Sequence, residues 1–304
     1  MAELVPIPFS TLLRRAWLEL ERTGAIFDLP ARRFHHPAPN LDTSVTHCGH
    51  LADNPLGPAA GPHTQLAQNV ALAWLAGARI IELKTVQVND RLSLSRPCID
   101  MATVGYNTEW SQELRLEQSL AEYVKASMLV EILDAAGVTD ASGAHMESAE
   151  DAESAEDRHN PQRPPAEARR LKSEACQAFG VRPRPSGRRC FPRAPVRAPV
   201  SHTVFDISVG YDLPGIRSAA IGRWLDGMKD ASPLVDELRR HIPPELAAYR
   251  DLAFRTEIGD SITLSTFHGT PAGEIEAICE YLIAERGFHV VIKLNPPMLG
   301  RERV

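Results

Sequence analysis

Residues 54–61 read NPLGPAAG, residues 65–76 read QLAQNVALAWLA and residues 78–87 read ARIIELKTVQ. The first run is short, apolar and closed by glycine, the pattern of a buried strand that ends in a turn. The second puts Leu66, Val70, Ala73 and Trp74 on one helical face, with Gly77 at the stop position. The third is rich in β-branched residues, as a buried strand is. Strand, helix and strand within about 35 residues make a βαβ unit, and such units build parallel sheets with helices on their faces.

The pattern extends in both directions. Residues 8–26 (PFSTLLRRAWLELERTGAI) space Leu12, Ala16, Leu18 and Leu20 for an amphipathic surface helix. A Pro- and His-rich connector, FHHPAPN, follows at 34–40. Residues 111–136 carry a long helical pattern through Leu114, Leu120, Val124, Met128 and Leu133 that stops at Gly137. HTVFDISVGYD (202–212) reads as a strand, and 217–254 as helical with a break at HIPPEL. A second βαβ unit closes the sequence. SITLST (261–266) is a strand; Thr270 caps a helix with Pro271 at its first position; Ile275, Ile278, Cys279 and Leu282 form the buried face; Gly287 ends it; HVVIKLNP (289–296) is the last strand.

The middle differs in kind. Residues 147–157 (ESAEDAESAED) hold six acids and no base, and 158–200 hold eleven Lys and Arg against two acids, with many prolines. Such composition builds no packed core, so 139–200 is expected to be disordered or irregular. The basic tract is a weak nucleic-acid candidate, because it lacks interleaved aromatics and its acidic neighbour neutralises it. Residues 1–138 and 201–304 then form the ordered parts.

The 304 residues are 43% hydrophobic and 24% charged, enough for one sizeable core. A net charge of −6 gives no global pull toward nucleic acid or anionic membrane. No apolar run is long enough for a membrane span, and the N-terminus lacks a signal-peptide pattern. The five cysteines (Cys48, Cys98, Cys176, Cys190, Cys279) show no C-x-x-C spacing. Neither a zinc ribbon nor an iron–sulfur site is expected, no resident metal is assigned, and reduced thiols in the cytoplasm are the simplest reading.

Two lysines carry the chemical interest. Lys84 and Lys293 each sit near the C-terminal end of a predicted strand, and alternation puts Glu82 on the face of Lys84, and Val291 and Asn295 on the face of Lys293. A lysine in an apolar strand finds a charge partner or reaches for solvent. In β/α barrels the C-terminal strand ends are where active-site groups gather. Either lysine is also readable as a strand-end residue leaning into water. Gly57, Ala59, Ala60 and Gly61 are small enough to let a ligand approach the backbone, or simply to make a strand-to-helix turn. His63, His268, Cys98, Tyr106 and Asn107 are polar groups in predicted loops on the same side.

NPLGPAAGPHTQLAQN, GARIIELKTVQ and RPCIDMATVGYNTEWS (96–111) together resemble the dihydroorotate dehydrogenase-like flavoproteins, above all the large flavin and iron–sulfur subunit of the selenate reductase type. FDISVGYDLPGI, SITLSTFHGTP and VIKLNPPMLG fit the same family in the same order. The resemblance covers 5–137 and 202–304 and passes over 139–200. It implies a (β/α)8 TIM barrel, here of about five strands and apparently truncated, with FMN at its C-terminal mouth. Ala59, Ala60 and Gly61 would lie along the FMN. Lys84 and Asn107 would line the flavin and substrate side, with Asp212 and Asn295 also toward the substrate. Lys84, His268 and Thr270 would flank the chemistry. Lys293 matches the flavin lysine, a cation that stabilises the negative charge of the reduced ring. The sequence departs from the family in having Thr270 where a cysteine is expected and Asp212 where an asparagine is expected. A hydroxyl is a poor substitute for a thiol as an acid or base, and an ionised carboxylate donates no hydrogen bond. Iron–sulfur and NADPH-binding parts would lie outside this sequence.

Three functions follow. The first is an FMN oxidoreductase module that passes electrons between flavin and a small substrate or partner redox centres. The second is a non-catalytic interaction protein that keeps the front half of the barrel. The third is nucleic-acid binding by 158–200.

Overall fold

The structure, a computed structural model, describes residues 4–38, 40–86, 99–100, 106–107, 113–140, 196–266 and 270–294. Residues 1–139 and 194–304 form one compact unit. The expected disorder of 139–200 falls largely outside the described residues. Its two described ends are ordered, with Thr139 buried and 196–200 irregular.

Helix α1 (Phe9–Thr23) buries Phe9, Leu12, Leu13, Ala16 and Trp17, spaced so that every third or fourth residue meets the core. Of the expected stripe, Leu12 and Ala16 are buried and Leu20 packs against the core, but Leu18 is exposed and Trp17 takes its buried place. Gly24, left-handed at φ 63°, donates its N–H to the Leu20 carbonyl and ends the helix before residue 26. Two tight hairpins follow, β1 (Ala25–Ile26) with β2 (Leu29–Pro30), and β3 (Val45–His47) with β4 (His50–Ala52). Both central residues of each turn have positive φ (Phe27 and Asp28; Cys48 and Gly49), as the mirror-image hairpin turns require.

The central feature is a four-stranded parallel sheet of β5 (Ile80–Glu82), β8 (Val204–Val209), β9 (Ser261–Ser265) and β10 (His289–Lys293), neighbours in chain order. Helix α2 (Ala67–Leu75) precedes β5. A short β6–β7 hairpin (Ile99–Asp100, Tyr106–Asn107) and α3 (Leu116–Ala135) lie between β5 and β8. Helices α4 (Leu213–Ile216), α5 (Ala219–Lys229) and α6 (Ser232–Arg240) connect β8 to β9. Helix α7 (Ile275–Glu280) leads to β10. Glu122 of α3 is fully buried and its carboxylate accepts the Ala67 N–H at 2.9 Å, capping α2, while Lys125 pairs with it.

Residues 54–61 are not a regular strand, yet they lie along β5 as one. The Leu56 carbonyl accepts from Ile80 N–H at 3.1 Å and the Pro58 carbonyl from Glu82 N–H at 3.2 Å. The return bonds are missing for a local reason. Pro58 has no N–H, and the Leu56 N–H goes to the Asn54 side chain at 2.9 Å. A half-ladder remains, and with it a fifth parallel position at the edge. Gly57 permits this approach: a Cβ there would lie 1.4 Å from the Ile80 carbonyl oxygen.

The sheet is rolled. On β5, β8 and β9 the side chains facing the helices are apolar (Ile81, Phe205, Ile207, Ile262, Leu264), and the alternate ones are polar (Glu82, Asp206, Ser208, Ser261, Thr263, Ser265). Lys293 Nζ on β10 lies 2.9 Å from both carboxylate oxygens of Glu82 on β5. Three inter-strand steps in a flat sheet span about 14 Å, so this contact needs the curvature of a barrel wall. The expected TIM-barrel architecture is thus present as an open, rolled sheet. Leu56 at one edge, and Ile292 and Leu294 at the other, are exposed. No helix among the described residues is long and apolar enough to cross a membrane.

Gly57→Ala should lower stability by about 3 kcal/mol, because the new methyl meets backbone and not a movable side chain. Gly222→Ala, on α5 with open space where its Cβ would go, should raise it by about 0.5–1 kcal/mol. Thermal unfolding of the two variants checks both, and equal effects would contradict the close-approach argument.

Candidate functional site

The inner face of the rolled sheet holds an unusual density of polar groups. Asp206, buried at the centre, accepts hydrogen bonds from Ser261 Oγ and Thr263 Oγ1, each at 2.5 Å. Burial pushes its carboxyl above the ordinary carboxylate range, the two hydroxyl hydrogen bonds oppose that, and the nearby Glu82 charge adds to it. One register position on, Ser208 and Thr85 hydroxyls meet at 2.7 Å. The Glu82–Lys293 pair closes the group across the sheet.

Lys84 lies just past β5, in backbone still bonded to β8 through Leu83 N–H to the Asp206 carbonyl. It is 2% exposed, which excludes the alternative of a lysine leaning into solvent. Its backbone is fixed on both sides: its N–H bonds the Thr64 carbonyl at 3.2 Å, and its carbonyl accepts from Tyr123 Oη at 2.7 Å. The pairing with β8 slips by one residue between Glu82↔Asp206 and Val86↔Val209, and Thr85 meets Ser208 on the inner face, so the expected alternation of Glu82 with Lys84 does not continue past β5. The carboxylate partner of Lys293 is Glu82, the residue sequence reading attached to Lys84.

The remaining expected residues divide. Ala59 is exposed, Ala60 half-buried and Gly61 buried in extended backbone (φ −167°), so Gly61 is not held there by conformation. Asp212 caps α4, its Oδ1 accepting the Gly215 N–H at 2.9 Å, while Glu274 takes the Leu213 N–H at 2.7 Å. A carboxylate thus suits that position as an acceptor. Thr270 does not cap the following helix, as its spacing before Pro271 had suggested. Its buried hydroxyl donates to the Ser265 carbonyl at 3.1 Å, and the helical turn at Ala272–Glu274 has Pro271 at its cap without a side-chain bond. Asn107 sits in the β6–β7 hairpin opposite Ile99. His63 is exposed. His268, Asn295 and Cys98 lie outside the described residues.

Sequence reading missed Asp206 with its two hydroxyl donors, and the buried Arg79. The Arg79 guanidinium donates to the Trp74 and Ala78 carbonyls at 3.0 and 2.8 Å, approaches Asp53 at 3.5 Å and stacks over Trp74. Burial lowers its pKa against the raising effect of Asp53. The signal for Asp206 was available: an acid alternating with apolar residues in FDISV.

A family model described as oxidoreductase YgfK, N-terminal TIM-barrel domain, matches residues 27–147 and 194–304. The chain belongs to this family. The match passes over residues 148–193. Proteins named as the oxidoreductase YgfK in Escherichia coli K12 and O157:H7 are each 35% identical over 318 residues, covering 98% of this chain and 25% of theirs. The chain spans about a quarter of the length of these relatives. Family membership makes the rolled sheet part of a TIM-barrel domain, whose mouth is formed by the C-terminal ends of the strands.

The elevated Asp206 pKa gives a pH test. An acid whose folded-state pKa lies above its unfolded value near 4 keeps its proton longer when folded. Its effect on stability is least harmful below about pH 4 and grows worse as pH rises toward the folded-state value. Asp206→Asn keeps the shape and removes the titration. The melting temperature of the variant relative to the parent should therefore rise between about pH 4 and 8; a difference that stays flat across that range would sink the argument.

Proposed function

We propose that this chain is an FMN-binding oxidoreductase module of the dihydroorotate and dihydropyrimidine dehydrogenase type. Electrons would pass between flavin and a small substrate, or onward to redox centres outside this chain such as the iron–sulfur and NADPH-linked parts of related subunits. Bound FMN would supply the two-electron chemistry. The single observation that carries the reading is Lys293, held across the inner face of the rolled sheet by Glu82, with the buried Lys84 just past the strand that carries Glu82.

The residues present suit that group. Ala59, Ala60 and Gly61 offer short side chains at the end of the first edge segment, where a planar ring needs close backbone approach. The donor set is cationic, as the anionic edge of a reduced flavin requires. Glu82 holds the Lys293 ammonium by both of its carboxylate oxygens. Asp206, Ser261 and Thr263 lie deeper and satisfy one another, so they set the floor. By the same family resemblance, Lys84 and His268 would serve as proton carriers, with Asn107, Asp212 and Asn295 toward the substrate. Thr270 contributes there by holding the Ser265 carbonyl.

A second reading, a non-catalytic interaction protein on the same fold, has one observation in its favour. Asp212 and Thr270, the two departures from the family pattern, both make bonds that serve the fold itself.

Purified chain incubated with FMN should retain visible flavin absorbance after desalting, and its absence would favour the second reading. Lys293→Met should weaken FMN binding by about ten- to a hundredfold, the worth of one hydrogen bond to a charged group. Equilibrium titration of flavin fluorescence measures it, and unchanged affinity would remove Lys293 from the site.

A further inference from the structure

The opposite, N-terminal face of the sheet carries a second cluster that the flavin reading does not use. The β3–β4 turn reads His47-Cys48-Gly49-His50, with His47 and His50 paired across it. His50 Nε2 lies 2.7 Å from Asp260 Oδ1. Asp260 precedes β9, and its backbone carbonyl accepts the His289 N–H at 2.9 Å, so the start of β10 is tied to the same loop. Glu257 belongs to this loop as well. One ligand atom from each of His50, Glu257 and Asp260 lies within 4.8 Å of the others. All three line a cavity of about 360 Å³ at this end.

We propose that His50, Glu257 and Asp260 form a binding site for a divalent cation of the zinc class. An imidazole with two carboxylates is a borderline nitrogen and oxygen donor set, which suits zinc and neighbouring first-row metals more than magnesium or calcium. Zinc holds such ligands at about 2.0–2.2 Å in a tetrahedron, so the ligand atoms stand about 3.4 Å apart. The cluster reaches that spacing if His50 and Asp260 part slightly from 2.7 Å and Glu257 closes by at most about 1.4 Å. The existing His50–Asp260 hydrogen bond already turns the imidazole toward the carboxylates; the cation would replace that shared proton, as metal and proton compete for such groups.

The site joins three pieces of chain distant in sequence: the hairpin, the loop before β9 and, through the Asp260 carbonyl, the start of β10. Its effect is to fasten the hairpin beneath the sheet. The N-terminal face of a barrel is the face associated with stability and not with chemistry. The proposal is independent of whether FMN binds at the other end. The turn supplies further metal-ligating types, since His47 Nε2 is buried with no hydrogen-bond partner among the described residues, and His289 lies beside Gly49. Neither is needed for the three-ligand set.

The test uses the full chain, stripped with EDTA and then given zinc chloride. The expected result is about one zinc retained per chain after desalting, measured by elemental analysis, with a rise in melting temperature. His50→Gln and Asp260→Asn should each weaken zinc binding by at least about tenfold. Both substitutions can keep a hydrogen bond between the two positions, so a purely structural pair would tolerate them. Glu257 is exposed, so Glu257→Gln provides a variant that folds normally and should also lose affinity. His202→Gln lines the same cavity outside the ligand set and should bind as the parent does. No zinc retained by the parent, parent-level retention in the three ligand variants, or preferential retention of magnesium would overturn the proposal.

Discussion

The Lys293 ammonium resting on both oxygens of Glu82 is the contact that ties the sheet's shape to its chemistry. The two residues stand on strands separated by two others, so they meet only when the sheet is rolled. Glu82 is largely buried and needs a partner, because a charge removed from water without one is costly, while Lys293 stays half-exposed. The curvature and the pairing therefore support each other. Asp206 follows the same logic more deeply: Ser261 and Thr263 on the neighbouring strand supply two short hydrogen bonds, and burial still makes its ionised form costly.

The outer face of the sheet solves a different problem. Strands β8 and β9 are buried along their whole length, as parallel strands covered by helices must be. Apolar residues pack outward against α2, α3 and the helices after β8, while polar ones face inward. Position and charge follow from one alternation, so the fold that builds the core also gathers the polar groups that define the candidate site.

The connection between α3 and β8 explains how a long polar tract can interrupt this wall. Asp134 near the end of α3 accepts the N–H groups of Val200 and Ser201 at 2.6 and 2.8 Å. Arg255 then bridges Glu131 of α3, at 2.8 Å, to the Thr203 carbonyl at 2.8 Å. The chain's exit from α3 and its entry into β8 are fixed to each other by these bonds, independently of what lies between. A long connection adds little closure entropy once its ends are held, and a helix-to-strand connection away from the strands' C-terminal ends is a tolerant place for it.

The sequence by itself determined what depends on near neighbours. Period-two and helical spacing gave β5, β8, β9, β10 and most of the helices, and the glycines at 77 and 287 marked two of the stops. The lysines at 84 and 293 were legible because a cation in an apolar strand stands out. Tertiary structure alone decided the partners. Glu82 went to Lys293 and His50 to Asp260, each more than 200 residues away; Thr270 turned from a helix cap into a donor for Ser265; and residues 54–61 became a half-ladder, because Pro58 and the Asn54 side chain remove the return bonds. Periodicity is a property of a short stretch of chain, whereas the partner of a buried charge is set by which distant strands the rolled sheet brings face to face.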